Sequence, residues 1–324
     1  MTRVAAIDCG TNSIRLLIAD LDGHGGLRDL VRTREMVRLG EGVDRTGRFS
    51  EGALERTIAA TRNYAELIRE HGAERIRFVA TSATRDASNR LEFTDAVREI
   101  LGVPAEVIPG TEEAALSFRG ALTALAKTGV SPASKQHLII DLGGGSTELV
   151  LGDSAPESAY SMDVGSVRLT ERNVHNDPPL ETELASIRRD VNVAFDTANA
   201  TVDVAKATEV IGVAGTVTTV TAHALGLSSY DPDVISGSRL PLADLLRSCD
   251  ALSRMPRPER AALPYMDPGR VDVIASGAVI WSTILKRIAD ATAAAGRPLE
   301  FVTASEHDIL DGVALSLASD ETAR

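Results

Sequence analysis

The sequence repeats itself once. Residues 7–20 read IDCGTNSIRLLIAD, and they align without gaps with residues 140–153, which read IDLGGGSTELVLGD. In each copy an apolar run ends in an aspartate, a short polar turn follows, and a second apolar run comes after the turn. This pattern is typical of a β-hairpin whose first strand ends at the aspartate. Two copies so far apart predict two related domains that each begin with the same hairpin.

The segments around the two copies alternate between helical and strand-like patterns, which predicts an α/β class in both halves. A chain of 324 residues is also long for a single hydrophobic core. A segment of Gly, Ser, Pro and Lys, residues 129–135, predicts the boundary between a first domain of 1–128 and a second domain of 129–324. The final helix, predicted at about residues 306–319, could pack back on the first domain.

Hydrophobic periodicity and turn signals give the expected elements. The predicted helices are 51–71, 91–101, 111–126 with Thr111 as N-cap, 181–204, 241–254, 270–295 and 306–319. Outside the hairpins the predicted strands are 76–81, 103–108, 160–164, 209–213 and 299–303.

Composition excludes several classes of protein. The chain is 44% hydrophobic and 25% charged, which is typical of a soluble globular enzyme. No stretch has the roughly 18 uninterrupted apolar residues of a membrane span, and the N-terminus lacks a signal-peptide pattern. Two cysteines, Cys9 and Cys249, cannot build a disulfide framework or a zinc site, so a cytoplasmic location is expected. The net charge of -12 disfavours a nucleic-acid binder, and any polyanionic substrate must therefore meet a local basic patch.

Three glycine-containing segments are candidates for phosphate binding. Two are the hairpin turns, and the third, Gly212 to Thr216, follows a predicted strand and opens a helix. Glycine lets the backbone approach an anion, and successive amides form a concave site for phosphate oxygens. Each segment alone is more typical of a tight turn, but the three together favour phosphate binding. The candidate residues are Gly10, Thr11, Asn12, Ser13, Gly143, Gly144, Gly145, Ser146, Thr147, Gly215 and Thr216.

Three carboxylates accompany the turns. Asp8 and Asp141 end the first strands of the two hairpins, and Glu148 lies on the returning strand of the second copy, where the first copy has Arg15. A divalent cation that binds phosphate needs hard oxygen ligands, usually one or two carboxylates with water. Asp141 and Glu148 are therefore candidate ligands of Mg²⁺ or another divalent cation. The competing interpretation is turn capping by Asp141 and a solvated strand face for Glu148.

Other charged residues are ambiguous from pattern alone. Glu112 and Glu113 fall in the first turn of a predicted helix, where acids usually compensate the helix dipole. Arg85 and Arg270 each come just before or at the start of a predicted helix, and either could bind phosphate or lie on the surface. The sequence contains no P-loop, dinucleotide fingerprint, zinc-protease or nucleophile-elbow motif, and its six histidines are scattered.

The sequence resembles the exopolyphosphatase / guanosine pentaphosphate phosphatase (Ppx/GppA) family, in the superfamily of actin, Hsp70 and the sugar kinases. The stretch Asp141 to Glu148 is highly specific for the family, whereas the turn after Asp8 alone indicates only the superfamily. The other matching stretches follow in the family's order over nearly the whole chain, and they are Asp8–Ser13, Ala80–Arg85, Gly110–Ala114, Gly165–Glu171, Gly212–Thr216 and Arg270–Gly277.

The resemblance implies a fold of two ribonuclease-H-like (actin-like ATPase) domains with the site in an interdomain cleft. It implies that Glu113 is the base that activates the attacking water, which overrides the helix-dipole interpretation. It also implies that Asp141 and Glu148 hold magnesium and position the water. Arg85 then binds phosphate, and Asp8, Arg270 and the glycine segments complete the phosphate-binding set. The expected activity is release of terminal orthophosphate from inorganic polyphosphate.

Three alternatives remain open from the sequence. A guanosine pentaphosphate 5′-phosphatase would use the same chemistry on another substrate. A small-molecule kinase of the superfamily would need an adenosine pocket, for which Ser276-Gly277-Ala278 has suitably small residues. A non-catalytic sensor of polyphosphate or alarmone would bind without releasing phosphate. Many bacterial members carry further C-terminal helical domains, for which no room remains before Arg324, so a preference for shorter chains is expected. A homodimer is the default expectation for a soluble enzyme.

Overall fold

The computed structural model describes residues 1–22, 26–127 and 135–319. The chain forms two compact units: unit 1 comprises Met1–Gly120 with Ile309–Arg324, and unit 2 comprises Ala121–Asp308. The boundary predicted between residues 128 and 129 lies outside the described residues. None of the helices in the described ranges is both long and apolar enough to cross a membrane.

Unit 1 contains a sheet of five strands in the order β3-β2-β1-β4-β5. Strands β1, β2 and β3 pair antiparallel, and β4 and β5 continue the sheet in parallel with β1. The carboxyl ends of the three parallel strands therefore meet at one edge of the sheet, where ligands of α/β proteins commonly bind. The strands are β1 Thr2–Cys9, β2 Ser13–Leu21, β3 Leu27–Met36, β4 Arg75–Ala80 and β5 Ala105–Val107.

Helices cover both faces of this sheet. One face packs on a cluster that includes Tyr64, Phe78 and Phe93. The other packs on a cluster that includes Leu310 and Val313 of the last helix, which thus belongs to unit 1. Six helices contribute to unit 1: α1 Val43–Thr46, α2 Glu51–His71, α3 Ser82–Asp86, α4 Arg90–Leu101, α5 Gly110–Lys127 and, at the end of the chain, α13 Ile309–Ser319.

Unit 2 repeats the sheet topology of unit 1. Its six strands have the order β10-β11-β9-β6-β7-β8, in which β6, β7 and β8 are antiparallel and β9 and β11 extend the sheet in parallel with β6. Strand β10 adds an antiparallel edge. The repeat seen in the sequence therefore extends beyond the hairpin to a whole sheet. The strands are β6 His137–Leu142, β7 Thr147–Gly152, β8 Pro156–Met162, β9 Glu209–Val213, β10 Arg239–Pro241 and β11 Phe301–Ala304.

One large apolar core, with Trp281 and Phe195 fully buried in it, joins the helices of unit 2 to the sheet. The helices are α6 Ser166–Asn173, α7 Glu181–Asn199, α8 Ala214–Leu225, α9 Pro232–Ile235, α10 Leu242–Arg254, α11 Arg257–Ala262 and α12 Ile274–Ala294. The α/β class predicted for both halves is confirmed.

The helix predicted over 51–71 has the predicted bounds, and those at 91–101 and 241–254 differ by one residue at the start, whereas four others differ as follows. The helix predicted over 181–204 ends at Asn199, because the chain turns there and buries Val202 and Val204 in the core. The helix predicted from 270 begins at Ile274, so Arg270 lies in the preceding turn. Thr111 is not an N-cap, since α5 already begins at Gly110. The helix predicted over 306–319 begins at Ile309.

Candidate active site

The two hairpin turns close with the same hydrogen bond. The Gly10 N–H donates to the Ser13 carbonyl at 3.0 Å in unit 1, and the Gly143 N–H donates to the Ser146 carbonyl at 3.0 Å in unit 2. Each turn joins two buried strands at the carboxyl end of the first one. The hairpins predicted from the repeat therefore have one geometry.

The position next to each turn differs in charge between the two copies. Asp8 pairs across the ladder with Arg15, and the Arg15 guanidinium donates to its carboxylate at 2.6 and 2.9 Å. At the equivalent register position Asp141 lies opposite Glu148. Unit 1 thus neutralises its aspartate with an arginine, whereas unit 2 places a second carboxylate there.

The facing carboxylates fit a divalent cation. Asp141 is 7% exposed and Glu148 only 1%, and two like charges directly opposite each other in a sheet are destabilising. A hard cation removes that repulsion and prefers carboxylate oxygens. The Ser161 hydroxyl donates to Glu148 Oε1 at 2.7 Å and orients that carboxylate. The described residues contain no cluster of three or more typical metal ligands, and Mg²⁺ bound through two carboxylates and water does not require one.

A second backbone segment holds the turn of unit 1. The Thr11 carbonyl accepts from the Gly40 N–H at 2.8 Å, and the Asn12 carbonyl accepts from the N–H groups of Val37 and Arg38. Arg38 has a φ of 50°, a left-handed conformation that is uncommon outside glycine. The segment after β3 therefore supports this turn from the carbonyl side.

The beginning of α6 supports the turn of unit 2 in the same way. The N–H groups at the start of this helix donate to the carbonyls of Gly143 and Gly144, and the approach is close. A Cβ atom on Gly165 would lie 2.3 Å from the Gly144 oxygen, so only glycine fits at this position.

Glu113 and Arg85 lie together in unit 1. Arg85 follows β4, Glu113 is in the first turn of α5 after β5, and Arg85 Nη1 donates to Glu113 at 2.6 Å and to the Ile108 carbonyl at 3.0 Å. Burial raises the pKa of the Glu113 carboxyl; Arg85 and Thr81 act in the opposite direction, and the nearby Asp8 adds to the rise. A buried carboxylate with a raised pKa has the character of a general base.

The neighbouring Glu112 has a different environment. It bonds to Arg77 at 2.6 Å and its side chain is 41% exposed. In the first turn of α5, Glu112 is thus a half-exposed ion-pair partner, whereas Glu113 is a buried carboxylate.

The third glycine segment is the turn between β9 and α8. Ala214 has a φ of 71°, which is strained for a residue other than glycine and is typical of functional sites. A Cβ on Gly215 would lie 2.3 Å from Arg270 Nη2, so the guanidinium rests directly on this glycine. Arg270 Nη1 also donates to Thr219 Oγ1 at 3.0 Å. The structure therefore brings Gly215 and Arg270 together.

The small residues that suggested an adenosine pocket have a packing role. A Cβ on Gly277 would lie 2.7 Å from Thr216 Oγ1 and 3.4 Å from the Ser166 Cβ. Ser276 is 1% exposed and Ala278 is fully buried. These positions are small because α12 packs closely against α6 and α8.

Sequence reasoning assigned no role to four residues that shape the site: Arg15, Ser161, Gly165 and Arg168. The exchange of Arg15 for Glu148 between the two copies was visible, and it could have indicated the ion pair with Asp8. Gly165 and Arg168 lie in one of the family stretches, but their contacts with the turn cannot be inferred from spacing. Ser161 faces Glu148 only through the pairing of β7 with β8.

The chain is similar to known proteins over nearly its whole length. The model of the Ppx/GppA phosphatase family matches residues 17–296. Exopolyphosphatase 2 of Mycobacterium tuberculosis is 48% identical over 326 aligned positions, which cover 98% of this chain and 99% of that protein.

Two solved structures are also similar. An exopolyphosphatase-like protein has a TM-score of 0.94 and 47% identity, with 99% of each chain covered. The Ppx/GppA enzyme of Aquifex aeolicus has a TM-score of 0.75 and 29% identity, covering 97% of this chain and 99% of that one. The predicted fold of two actin-like, ribonuclease-H-like domains is thereby confirmed. The chain belongs to the Ppx/GppA phosphatase family, a family of hydrolases.

Proposed function

We propose that this chain is an exopolyphosphatase that releases terminal orthophosphate from inorganic polyphosphate by attack of water, with the help of Mg²⁺ or another divalent cation. The observation that carries the proposal is the contrast between the hairpins, in which Asp8 faces Arg15 but Asp141 faces Glu148. The 48% identity to a protein named exopolyphosphatase 2 supports the choice of substrate.

Asp141 and Glu148 would hold the cation. When bound, the cation neutralises charge on the phosphoryl oxygens and thereby favours attack on phosphorus. Ser161 keeps the Glu148 carboxylate in one orientation, which limits the ways in which the two acids can share a ligand.

Glu113 would accept the proton of the attacking water. Its raised pKa makes the carboxylate a stronger proton acceptor than an exposed glutamate, and its burial excludes competing solvent. Phosphoryl transfer needs little covalent chemistry from the protein, so orientation of this water is the main task of the residue.

Arg85 would bind oxygens of the terminal phosphate. Its Nη1 bonds to Glu113 and Ile108, while its Nε and Nη2 make no hydrogen bond within the described ranges. The guanidinium can therefore contact Glu113 and an anion at once. The turn amides, the Ser13 hydroxyl and Arg270 complete the proposed phosphate contacts. Thr147, predicted as a further contact, is fully buried, and its hydroxyl donates instead to the Val164 carbonyl at 2.6 Å.

The test is phosphate release by the purified protein. Polyphosphates of several lengths and guanosine pentaphosphate are compared, each with Mg²⁺ and with excess EDTA. We expect release from polyphosphate that EDTA abolishes. Faster release from guanosine pentaphosphate would make the alarmone the substrate, and tight polyphosphate binding without release would make the chain a sensor.

Glu113→Gln and Glu112→Gln form a matched pair for the same assay. They remove one carboxylate each from adjacent positions of one helix turn, but only Glu113 is buried. We expect the first variant to lose about 100-fold or more in kcat, as loss of a general base typically does, and the second to keep nearly full activity. Equal rates in both variants would remove Glu113 from the mechanism.

A further inference from the structure

All four carbonyl groups of the turn Gly143–Ser146 accept hydrogen bonds from the protein. The Ser146 carbonyl accepts the turn-closing bond from Gly143. The remaining bonds come from the start of α6: Ser166 N–H to Gly143 at 3.0 Å and Ser166 Oγ to the same oxygen at 3.4 Å, Val167 N–H to Gly144 at 2.9 Å, Arg168 N–H to Gly144 at 3.1 Å and Arg168 Nε to Gly145 at 2.7 Å.

Three N–H groups of the same turn, in contrast, are not hydrogen-bonded to the described part of the protein. Across the described part of the chain, the N–H groups of Gly144, Gly145 and Ser146 donate to no protein acceptor. The turn therefore presents three consecutive N–H groups, which is the arrangement that binds a phosphate oxygen.

Each carbonyl fixes the direction of one of these amides. The C=O of one residue and the N–H of the next belong to a single planar peptide group and point in opposite directions. A hydrogen bond on the Gly145 oxygen thus sets the direction of the Ser146 N–H. Glycine has little intrinsic preference that would hold a peptide plane, so the external bonds decide its orientation.

Among the described residues, the Gly145 carbonyl accepts from a side chain and from no backbone N–H. The N–H groups at the start of α6 bond to Gly143 and Gly144, whereas the Gly145 oxygen accepts from Arg168 Nε. We infer that Arg168 is a positioning residue, which holds the Gly145–Ser146 peptide so that the Ser146 N–H faces the bound phosphate. This inference rests on the proposed function, in which the turn binds the substrate.

Two substitutions separate the hydrogen bond from the charge. Glutamine has a nitrogen at the same distance along its side chain as arginine Nε, so Arg168→Gln retains a donor to Gly145 while it removes the cation. Methionine has similar length but no donor, so Arg168→Met removes both. Arg172→Met is the control, because it removes from the same helix an exposed cation that lies 3.9 Å from Asp190.

The first readout is the rate of phosphate release from tripolyphosphate with Mg²⁺. We expect Arg168→Met to raise KM about 3- to 10-fold, the usual effect of one lost hydrogen bond, with a smaller change in kcat. Arg168→Gln should restore KM to within about twofold of the native value, and Arg172→Met should leave it unchanged. Equal losses in the Gln and Met variants would show that Arg168 acts through its charge, which would overturn the inference.

The second readout does not depend on activity. The amides of Ser166 and Val167 bond to the turn carbonyls, so their hydrogen exchange reports how firmly the turn is held. We expect faster exchange in Arg168→Met, by about 3- to 10-fold, and native rates in Arg168→Gln. Unchanged exchange in the Met variant would refute the positioning role. If the native protein released no phosphate, the proposed function would fail while the exchange experiment still tested Arg168.

Discussion

The Arg85 guanidinium and the Glu113 carboxylate form a 2.6 Å ion pair in which the side chains are 22% and 10% exposed. The contact joins α3, the short helix that follows β4, to the first turn of α5 within unit 1. In the proposed reaction one partner binds phosphate and the other accepts a proton. In that reaction the pair would couple anion binding to the basicity of Glu113, because the negative charge of a phosphate on Arg85 raises the pKa of the nearby carboxyl.

Removal of Arg85 should shift the pH dependence of the reaction. Arg85 is the strongest influence that lowers the pKa of Glu113 against the effect of burial. In Arg85→Met that pKa rises further, so a larger fraction of Glu113 is protonated at any given pH. Since the carboxylate is the active form, the acidic limb of the kcat/KM profile should move to higher pH.

The check is the pH profile of phosphate release, with Arg98→Met as the control, because Arg98 is exposed on α4. The overall rate of Arg85→Met should also fall, owing to loss of a phosphate contact. A lower rate with the acidic limb in its native place would mean that Arg85 binds phosphate without tuning Glu113.

Glu113→Gln should make the protein more stable at neutral and alkaline pH. Because burial raises the pKa of Glu113 in the folded state, the charged carboxylate costs free energy above that raised pKa. Glutamine avoids this cost. The gain should vanish as the pH falls to about 4, where native Glu113 is itself protonated.

Urea unfolding of the native protein, Glu113→Gln and Glu112→Gln at about pH 8 and pH 4 measures this effect. Glu112 is half-exposed in its ion pair with Arg77, so its variant should show no gain. A Glu113→Gln protein that is less stable than the native one at the higher pH would show that the ion pair outweighs the burial cost.

Local patterns explain why the hairpins could be predicted. Each hairpin is set by a short turn between two apolar runs, and its register follows from the length of the turn. The opposition of Asp141 and Glu148 was therefore implicit in the sequence. The aligned copies also revealed that Arg15 replaces the second acid in unit 1.

Contacts between distant segments explain what could not be predicted. Arg168 lies 23 residues from Gly145, and nothing local indicates that its Nε reaches that carbonyl. The burial that raises the pKa of Glu113 depends on packing around α5. Helix-dipole reasoning alone therefore predicted only that this acid compensates the dipole of its helix. Arg270 was expected at a helix start because the apolar periodicity continues backward, but the helix begins only at Ile274.

Gly215→Ala should impair activity without unfolding the protein. The new methyl group would lie within about 2.3–2.5 Å of three atoms of the Arg270 guanidinium, which must then move away. A flexible side chain can move at little cost in free energy, and alanine stabilises a helix by up to about 1 kcal/mol relative to glycine. The free energy of unfolding should therefore change by less than about 1 kcal/mol. Loss of a charge-assisted contact should lower kcat/KM about tenfold or more.

Phosphate release by Gly215→Ala, Arg270→Met and the double variant provides the measurement. If Gly215 acts by allowing Arg270 to take its position, Arg270→Met should add little to the loss of kcat/KM that Gly215→Ala causes. Fully additive losses would show that Gly215 and Arg270 act independently.

Ser161→Ala should weaken metal binding more than it weakens folding. The variant removes the 2.7 Å hydrogen bond that orients Glu148, and partners of metal ligands typically contribute tenfold or more to affinity. The Mg²⁺ concentration for half-maximal release should therefore rise about tenfold. Direct Mn²⁺ binding, followed by its spin-resonance signal, gives a readout that does not require turnover.

The control for this substitution is Ser158→Ala. Ser158 is on the same strand but pairs with Leu151, so its side chain lies on the opposite face of the sheet from Ser161. Its metal dependence should equal that of the native protein. If the two variants bound Mn²⁺ with equal affinity, Ser161 would have no part in a metal site.

Gly312→Ala should strongly destabilise unit 1. A Cβ at this position of α13 would lie 2.0 Å from the backbone oxygen of Leu116 in α5, and a backbone atom cannot rotate away. Overpacking of this kind costs about 1–3 kcal/mol, which should appear as a lower urea midpoint. Gly52→Ala on α2 is the control: its nearest atom, at 3.5 Å, is the end of the Arg56 side chain, and alanine should be neutral or stabilising. A Gly312→Ala protein of native stability would mean that the last helix does not pack on α5 as described.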